Sequence, residues 1–176
     1  FEITEELDQA DLLIVNTCSF IQSAKEESID AILQAAEIKS RKEGCKLLVT
    51  GCLPERYRDE LARELPGVDA FVGVNQYGKI VDIVNRMFEG EHIAEFVERA
   101  ALPLGRVRTT PKYLAYVRIA EGCDHACAYC AIPSIRGPYR SRPMEEIVEE
   151  CKQLIADGVK EIVLIAQDTS YYGKDL

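Results

Sequence analysis

The sequence predicts an α/β protein in two parts, each built on parallel strands. Short continuous apolar runs alternate with stretches of helical spacing, the pattern of strands buried on both faces and linked by helices. Three of these runs end at a cysteine, in "DLLIVNTC", "CKLLVTGC" and "KYLAYVRIAEGC". With 176 residues, 47% of them hydrophobic, the chain can bury one large core or two small ones.

Asp11–Cys18 reads as the first strand. "SAKEESIDAILQAAEIKSRKEG" follows with Ile29, Ile32, Leu33 and Ala36 on one face and Gly44 as a stop. Cys45–Cys52 is a second buried strand. "PERYRDELARELPG" is a helix opened by Pro54 and closed by Pro66-Gly67. Asp69–Val74 is a third strand, and "QYGKIVDIVNRMFEG" a third helix. Regular alternation of this kind argues for a doubly wound parallel sheet over residues 1–88. From 89 to 111 the pattern dissolves around Pro103, Gly105 and Thr109-Thr110-Pro111, and reads as a linker. Residues 112–176 then give a strand ending at Cys123, a helix opened by Pro143 and closed by Gly158, and the strand "EIVLIAQDT". That is one βαβ unit of a larger parallel barrel or sheet.

The formal net charge of −9 speaks against broad nucleic-acid binding by this stretch, since phosphate contacts need clustered Lys and Arg. No apolar run approaches the length of a membrane span, and no signal peptide is visible at Phe1. Seven cysteines in a chain of this size, without a leader, read as reduced thiols available for metal binding or catalysis, in the cytoplasm.

Cys123, Cys127 and Cys130 lie within eight residues, in the pattern C-x3-C-x2-C. Three ligands on one loop leave one position of a four-site metal centre open, whereas structural zinc takes four and closes the site. The spacing also differs from the ferredoxin run. Three thiolates can hold a four-iron, four-sulfur cluster by three of its irons. His125, inside the loop, is a fourth-ligand candidate or a solvated loop histidine. Cys18 and Cys52 stand at the carboxyl ends of two predicted parallel strands. That is the edge where open α/β sheets bind ligands, and neighbouring strands run about 4.8 Å apart. Taken singly, such cysteines are small apolar packing residues.

With Tyr129 before its last cysteine, "CDHACAYC" resembles the cluster motif of the radical S-adenosylmethionine superfamily. Together with the "NTC" and "GC" strand ends upstream, it resembles the methylthiotransferase family within that superfamily. The resemblance implies a Rossmann-like first domain followed by the start of a radical SAM partial (β/α) barrel. It implies two 4Fe-4S clusters: one held by Cys123, Cys127 and Cys130 with an iron open to S-adenosyl-L-methionine, the other auxiliary. Cys18 and Cys52 match the second and third auxiliary ligands. The first belongs roughly 30 residues before "NTC". The chain has no such cysteine, so the resemblance implies a fragment lacking that residue and the carboxyl-terminal part. Cys45 and Cys151 match no family ligand and read as packing residues.

In the implied mechanism one S-adenosylmethionine methylates a sulfur on the auxiliary cluster. A second is reductively cleaved, and the deoxyadenosyl radical abstracts a hydrogen so that the substrate carbon captures the methylthio group. The family has branches acting on a tRNA adenosine and one acting on an aspartate β-carbon of a small-subunit ribosomal protein. "AKEESIDAI", "IPSIRGPYRSRP" and "AQDTSYYGKDL" resemble the ribosomal-protein branch. The electron donor implied is a flavodoxin or ferredoxin. By the same resemblance Tyr129 lies near the adenine, with core packing as its plainer reading. Gln167, Asp168 and Ser170, at the end of the last strand, are candidate contacts for the ribose or substrate, or else cap the next helix. Arg136, Arg140 and Arg142 either orient a carboxylate or phosphate or anchor their own loop. The tRNA reading and a non-catalytic metal-binding module remain the alternatives.

Overall fold

The computed structural model of the chain describes residues 1–96 and 108–176. The chain divides into two compact units, Phe1–Leu102 and Pro103–Leu176. In the first, β1 (Leu12–Thr17), β2 (Lys46–Gly51), β3 (Ala70–Val72) and β4 (Ile93–Glu95) form a parallel sheet in that order. Helices α1 (Gln22–Arg41), α2 (Cys52–Glu64) and α3 (Ile80–Phe88) connect them. Leu47, Leu48 and Val49 of β2 are each 0% exposed. Successive side chains on a strand face opposite ways, so an unbroken apolar run needs a core on each side. Leu47 and Val49 join Leu13, Phe71, Ile32, Leu53 and Leu61 under α1 and α2. Leu48 joins Ala70, Val72 and Ile93 under Ile83, Val84 and Met87 of α3. Each of the larger side chains, Ala70 excepted, contributes about 1.5–3 kcal/mol on removal from water before entropy is counted.

The stretch that reads as linker from 89 contains β4, so the first domain extends beyond 88. Ile93 is buried in the α3 core, and Arg86 donates to Glu95 at 2.5 Å. A three-residue strand bounded by charge carries too little periodicity to stand out in sequence. Residues 97–107 of that stretch lie outside the described residues. Helix α2 is kinked at Arg58 (φ 29°, ψ −107°), whose guanidinium turns back to Glu55 at 3.0 Å. Glu55 is buried and also accepts the Val74 N–H at 3.1 Å, tying the start of α2 to the end of β3.

In the second unit β5 (Leu114–Arg118) pairs in parallel with β8 (Glu161–Ile165), and α5 (Met144–Ala156) packs on Ala115 and Val117 through Ile147 and Leu154. Glu145 and Glu146 in the first turn of α5 complement its dipole. The strand expected to run unbroken to Cys123 is split. After Arg118 the chain leaves the parallel pair, and β6 (Ala120–Glu121) pairs antiparallel with β7 (Arg140–Ser141). A short helix, α4 (Ile132–Arg136), lies between them. Among the described residues no helix is long and apolar enough to cross a membrane.

One buried carboxylate fastens the first unit. Asp69 accepts the Leu47 N–H at 2.8 Å and pairs with Lys39 of α1 at 2.6 Å and Lys46 of β2 at 3.7 Å. Burial alone would raise its pKa; the Lys39 hydrogen bond and the Leu47 amide outweigh it and hold the carboxyl below its ordinary value. A depressed carboxylate stabilises the fold above its unfolded pKa of about 3.9, and that contribution drains as pH falls through the lower folded value. Asp69→Asn is therefore expected to lower the urea midpoint at pH 6 and to flatten the loss of stability below about pH 4. Parallel pH dependence in the two proteins would contradict this role.

Candidate metal centres

The register of β1 on β2 pairs Thr17 with Gly51, so Cys18 and Cys52 are the next residues on two adjacent strand ends. Gly51 makes the junction possible. Its φ is +102°, and a Cβ there would stand 2.3 Å from the Thr17 carbonyl oxygen and 2.7 Å from Asn16 Oδ1. Hydroxyls then hold the two turns together. Thr17 Oγ1 donates to Thr50 O at 2.6 Å and accepts the Leu53 N–H at 3.3 Å. Ser19 Oγ donates to Cys52 O at 3.1 Å, and Arg56 donates to Ser19 O at 2.8 Å. Ser28 Oγ both accepts the Cys18 N–H and donates to Cys18 O, each at 3.1 Å. Cys18 is half-buried and Cys52 buried, the latter as the first residue of α2 rather than the last of β2. Two thiols on fixed main chain at one sheet edge suit two positions of a thiolate-held cluster.

The second group of thiols lies on the loop between β6 and α4. Cys123 and Cys130 are half-buried and Cys127 is exposed. The loop is anchored at its start, where Cys123 N–H donates to Gly137 O at 3.2 Å, and its one tight turn has Cys130 N–H on Cys127 O at 3.0 Å. Among the described residues no group of three or more His, Cys, Asp or Glu is drawn together closely enough to hold a metal ion. The donor set itself, three free thiols on one anchored loop, fits an iron–sulfur cluster. His125 does not join the thiols: its Nε2 meets Asp168 Oδ2 at 2.9 Å.

The strand end after β8 serves this loop. Gln167 Oε1 accepts the Gly122 N–H at 2.9 Å, and its Nε2 donates to Glu121 at 3.0 Å. Asp168 accepts from the Ser170 amide and hydroxyl at 2.9 and 2.7 Å, and its carbonyl accepts from Tyr139 OH at 2.9 Å. The Ser170 hydroxyl, and after it His125, hold the Asp168 carboxyl below the usual carboxylate range. Ser170 and Asp168 thus form the cap of a short 3-10 turn, Thr169–Tyr171. Tyr129 is 93% exposed, so the core-packing reading of it fails. Arg142 is buried, donating to Arg118 O at 2.8 Å and Glu150 at 2.6 Å, and Arg136 lies 3.4 Å from Glu121. Those two arginines anchor the loop; Arg140 is half-buried in β7. Cys45 is buried near Ala10 O, where burial pushes its thiol pKa up, and Cys151 packs against the core beneath α5.

Sequence reasoning passed over Glu121, Tyr139 and the hydroxyls of Thr17, Ser19 and Ser28. Glu121 had one visible signal: a carboxylate at the end of an apolar strand, immediately before "GC".

Residues 1–73 match the Uncharacterized protein family UPF0004, and residues 117–176 match the Radical SAM superfamily. The chain is similar to curated proteins named ribosomal protein uS12 methylthiotransferase RimO. That of Caldicellulosiruptor saccharolyticus is 48% identical over 184 residues, covering 100% of this chain and 41% of the relative. That of Geotalea uraniireducens is 49% identical over 183 residues, with 100% and 40% covered. That of Desulforamulus reducens is 51% identical over 180 residues, again with 100% and 40% covered. The chain thus spans about two fifths of the length of these relatives. The resemblance read from the residues is borne out by both family matches and by these relatives.

Gly51→Ala is expected to cost about 2–3 kcal/mol, from left-handed strain and contact with the Thr17 carbonyl together. Gly44→Ala, also at positive φ but with no atom within 4 Å of the added Cβ, is expected to cost about 1 kcal/mol. Urea unfolding of the two variants measures the difference; equal losses would mean the strand ends approach less closely than described.

Proposed function

We propose that this chain is part of a cytoplasmic radical S-adenosylmethionine methylthiotransferase that places a methylthio group on the β-carbon of an aspartate in ribosomal protein uS12. The observation that carries the reading is the C-x3-C-x2-C loop, closed by the β6–β7 hairpin and held at a parallel-strand end. It stands in a chain about half identical to proteins bearing the uS12 name.

In this reading Cys123, Cys127 and Cys130 hold one 4Fe-4S cluster by three irons, leaving the fourth for S-adenosylmethionine. Cys18 and Cys52 give two thiolates to the auxiliary cluster. When bound, the clusters and S-adenosylmethionine supply the one-electron chemistry demanded by a carbon that is poorly acidic beside a carboxylate. The chain's own residues bind and orient. Tyr129, exposed on the cysteine loop, offers a ring face to the adenine. Gly51 and the hydroxyls of Thr17, Ser19 and Ser28 keep the auxiliary thiols on fixed main chain. A flavodoxin- or ferredoxin-class protein delivers the electron.

The test uses the full-length enzyme, anaerobically reduced and supplied with S-adenosylmethionine, with uS12 peptide and tRNA as parallel substrates read by mass spectrometry. A methylthio group on the peptide aspartate is expected. Modified adenosine with unmodified peptide would overturn the substrate while leaving the chemistry in place. Cys127→Ala is expected to remove about half the iron and stop cofactor cleavage, whereas Cys45→Ala keeps the iron. Equal iron loss in both would overturn the ligand set.

A further inference from the structure

We infer that Gln167 and Glu121 form a latch that sets the position of Cys123, which makes Gln167 a positioning residue of the cysteine loop rather than a contact of the cofactor's ribose. The inference rests on the reading of Cys123, Cys127 and Cys130 as cluster ligands.

Glu121 ends β6, two residues before Cys123, and is 3% exposed. Arg118 pairs with one of its oxygens, while Arg136 at 3.4 Å and the Gln167 amide at 3.0 Å meet the other. The next residue gives its N–H to the other end of the same amide, at 2.9 Å. A backbone N–H needs an acceptor and a carboxylate needs a donor, so these two neighbours dictate which way the amide lies. Only a carboxamide of this length answers both. Glu at 167 would set a second carboxylate against Glu121, Asn is one methylene short, and Ala leaves the Gly122 N–H without that acceptor.

The backbone at Gly122 has no slack to absorb such a loss. Its φ is +83°, and a Cβ would lie 2.2 Å from Pro138 O and 2.6 Å from Gly137 O. Cys123 N–H is itself bound to Gly137 O. The residue after Gln167 grips the loop again beyond the thiol: Asp168 meets His125, and Tyr139 joins Asp168 O to the Asp124 side chain. The end of β8 therefore holds the chain on both sides of Cys123. Each polar end of Gln167 already serves the protein, so the amide's orientation is set by Gly122 and Glu121 and a ribose hydroxyl could use only its second N–H or second lone pair.

The test uses full-length enzyme in a background with Cys18→Ala and Cys52→Ala, so that iron reports the three-cysteine loop alone. Gln167→Ala and Gln167→Glu are compared with the double exchange Glu121→Gln plus Gln167→Glu, which swaps donor and acceptor and keeps both hydrogen bonds. In metal-free protein Gln167→Ala, which removes the acceptor, is expected to speed hydrogen exchange at the Gly122 amide roughly tenfold, the worth of one lost hydrogen bond, and Gln167→Glu to speed it less, because its carboxylate can still accept that N–H while Glu121 repels it. In reconstituted protein each single variant is expected to release iron to a chelator about tenfold faster. Each is also expected to shift the electron paramagnetic resonance of the reduced cluster before any S-adenosylmethionine is added. The double exchange is expected to return exchange and release towards the parent values. Single variants with parental exchange, iron release and resonance, and only weaker S-adenosylmethionine binding, would overturn the latch and make Gln167 a cofactor contact. A folded double exchange no better than the single variants would also overturn it. A parent protein that takes up no iron would sink the cluster reading, while exchange at Gly122 would still decide the latch.

Discussion

Parallel strands deliver their carboxyl ends to one edge of a sheet, and in each unit the candidate metal-binding thiols depend on that constraint. Cys18 and Cys52 follow the paired positions Thr17 and Gly51. Cys123 follows β6, just after the parallel partner of β8 has ended. A parallel edge is rich in main-chain groups whose strand pairing has run out, and these must find partners nearby. In the first unit they find hydroxyls: Thr17, Ser19 and Ser28 satisfy the carbonyls and amides around the thiols. In the second they find the carboxamide of Gln167 and the carboxylate of Asp124, which accepts the Tyr139 N–H.

Buried charge in both units is held in pairs. Asp69 sits between Lys39 and Lys46, Glu55 against Arg58, Glu121 among Arg118, Arg136 and Gln167, and Arg142 against Glu150. A buried pair adds little net stability, yet loss of one partner costs about 3–5 kcal/mol because the other charge is stranded. The physical value of these pairs is therefore geometric: Asp69 ties α1 to β2, Arg142 is tied to α5 through Glu150, and Arg58 fixes the Glu55 carboxylate within α2. The chain's basic spot near the cysteine loop belongs to this class. Arg142 is consumed by Glu150 and a main-chain carbonyl, so the loop's positive charge is structural before it is available to any anion.

Much of the first unit is legible in the amino-acid order, because β2 must be apolar on both faces; α1 is legible as a helix but not in its face, since Ile29 and Leu33 of the expected stripe are exposed and Ser28, Ile32 and Ala35 are buried. The cysteine loop is equally legible, since three thiols within eight residues leave few chemistries open. The short elements are not. β4 is three residues with a glutamate at its end, and β6 and β7 are two residues each. At that length the period of two has nothing to repeat, and pairing is decided by what lies alongside.

The sequence by itself determined the alternation of strand and helix, the cysteine spacing and the edge to which the thiols go. These follow from periodicity and local steric rules, which act over a few residues. Tertiary structure alone decided the roles of Gln167, Asp168, Tyr139 and Glu121. Gln167 reaches Glu121 across 46 positions and Gly122 across 45, and Asp168 reaches His125 across 43. A glutamine at a strand end has the same local signature whether its amide meets a ligand or a neighbouring backbone. Only the fold, by packing β8 beside β5, settles which partner is within 3 Å.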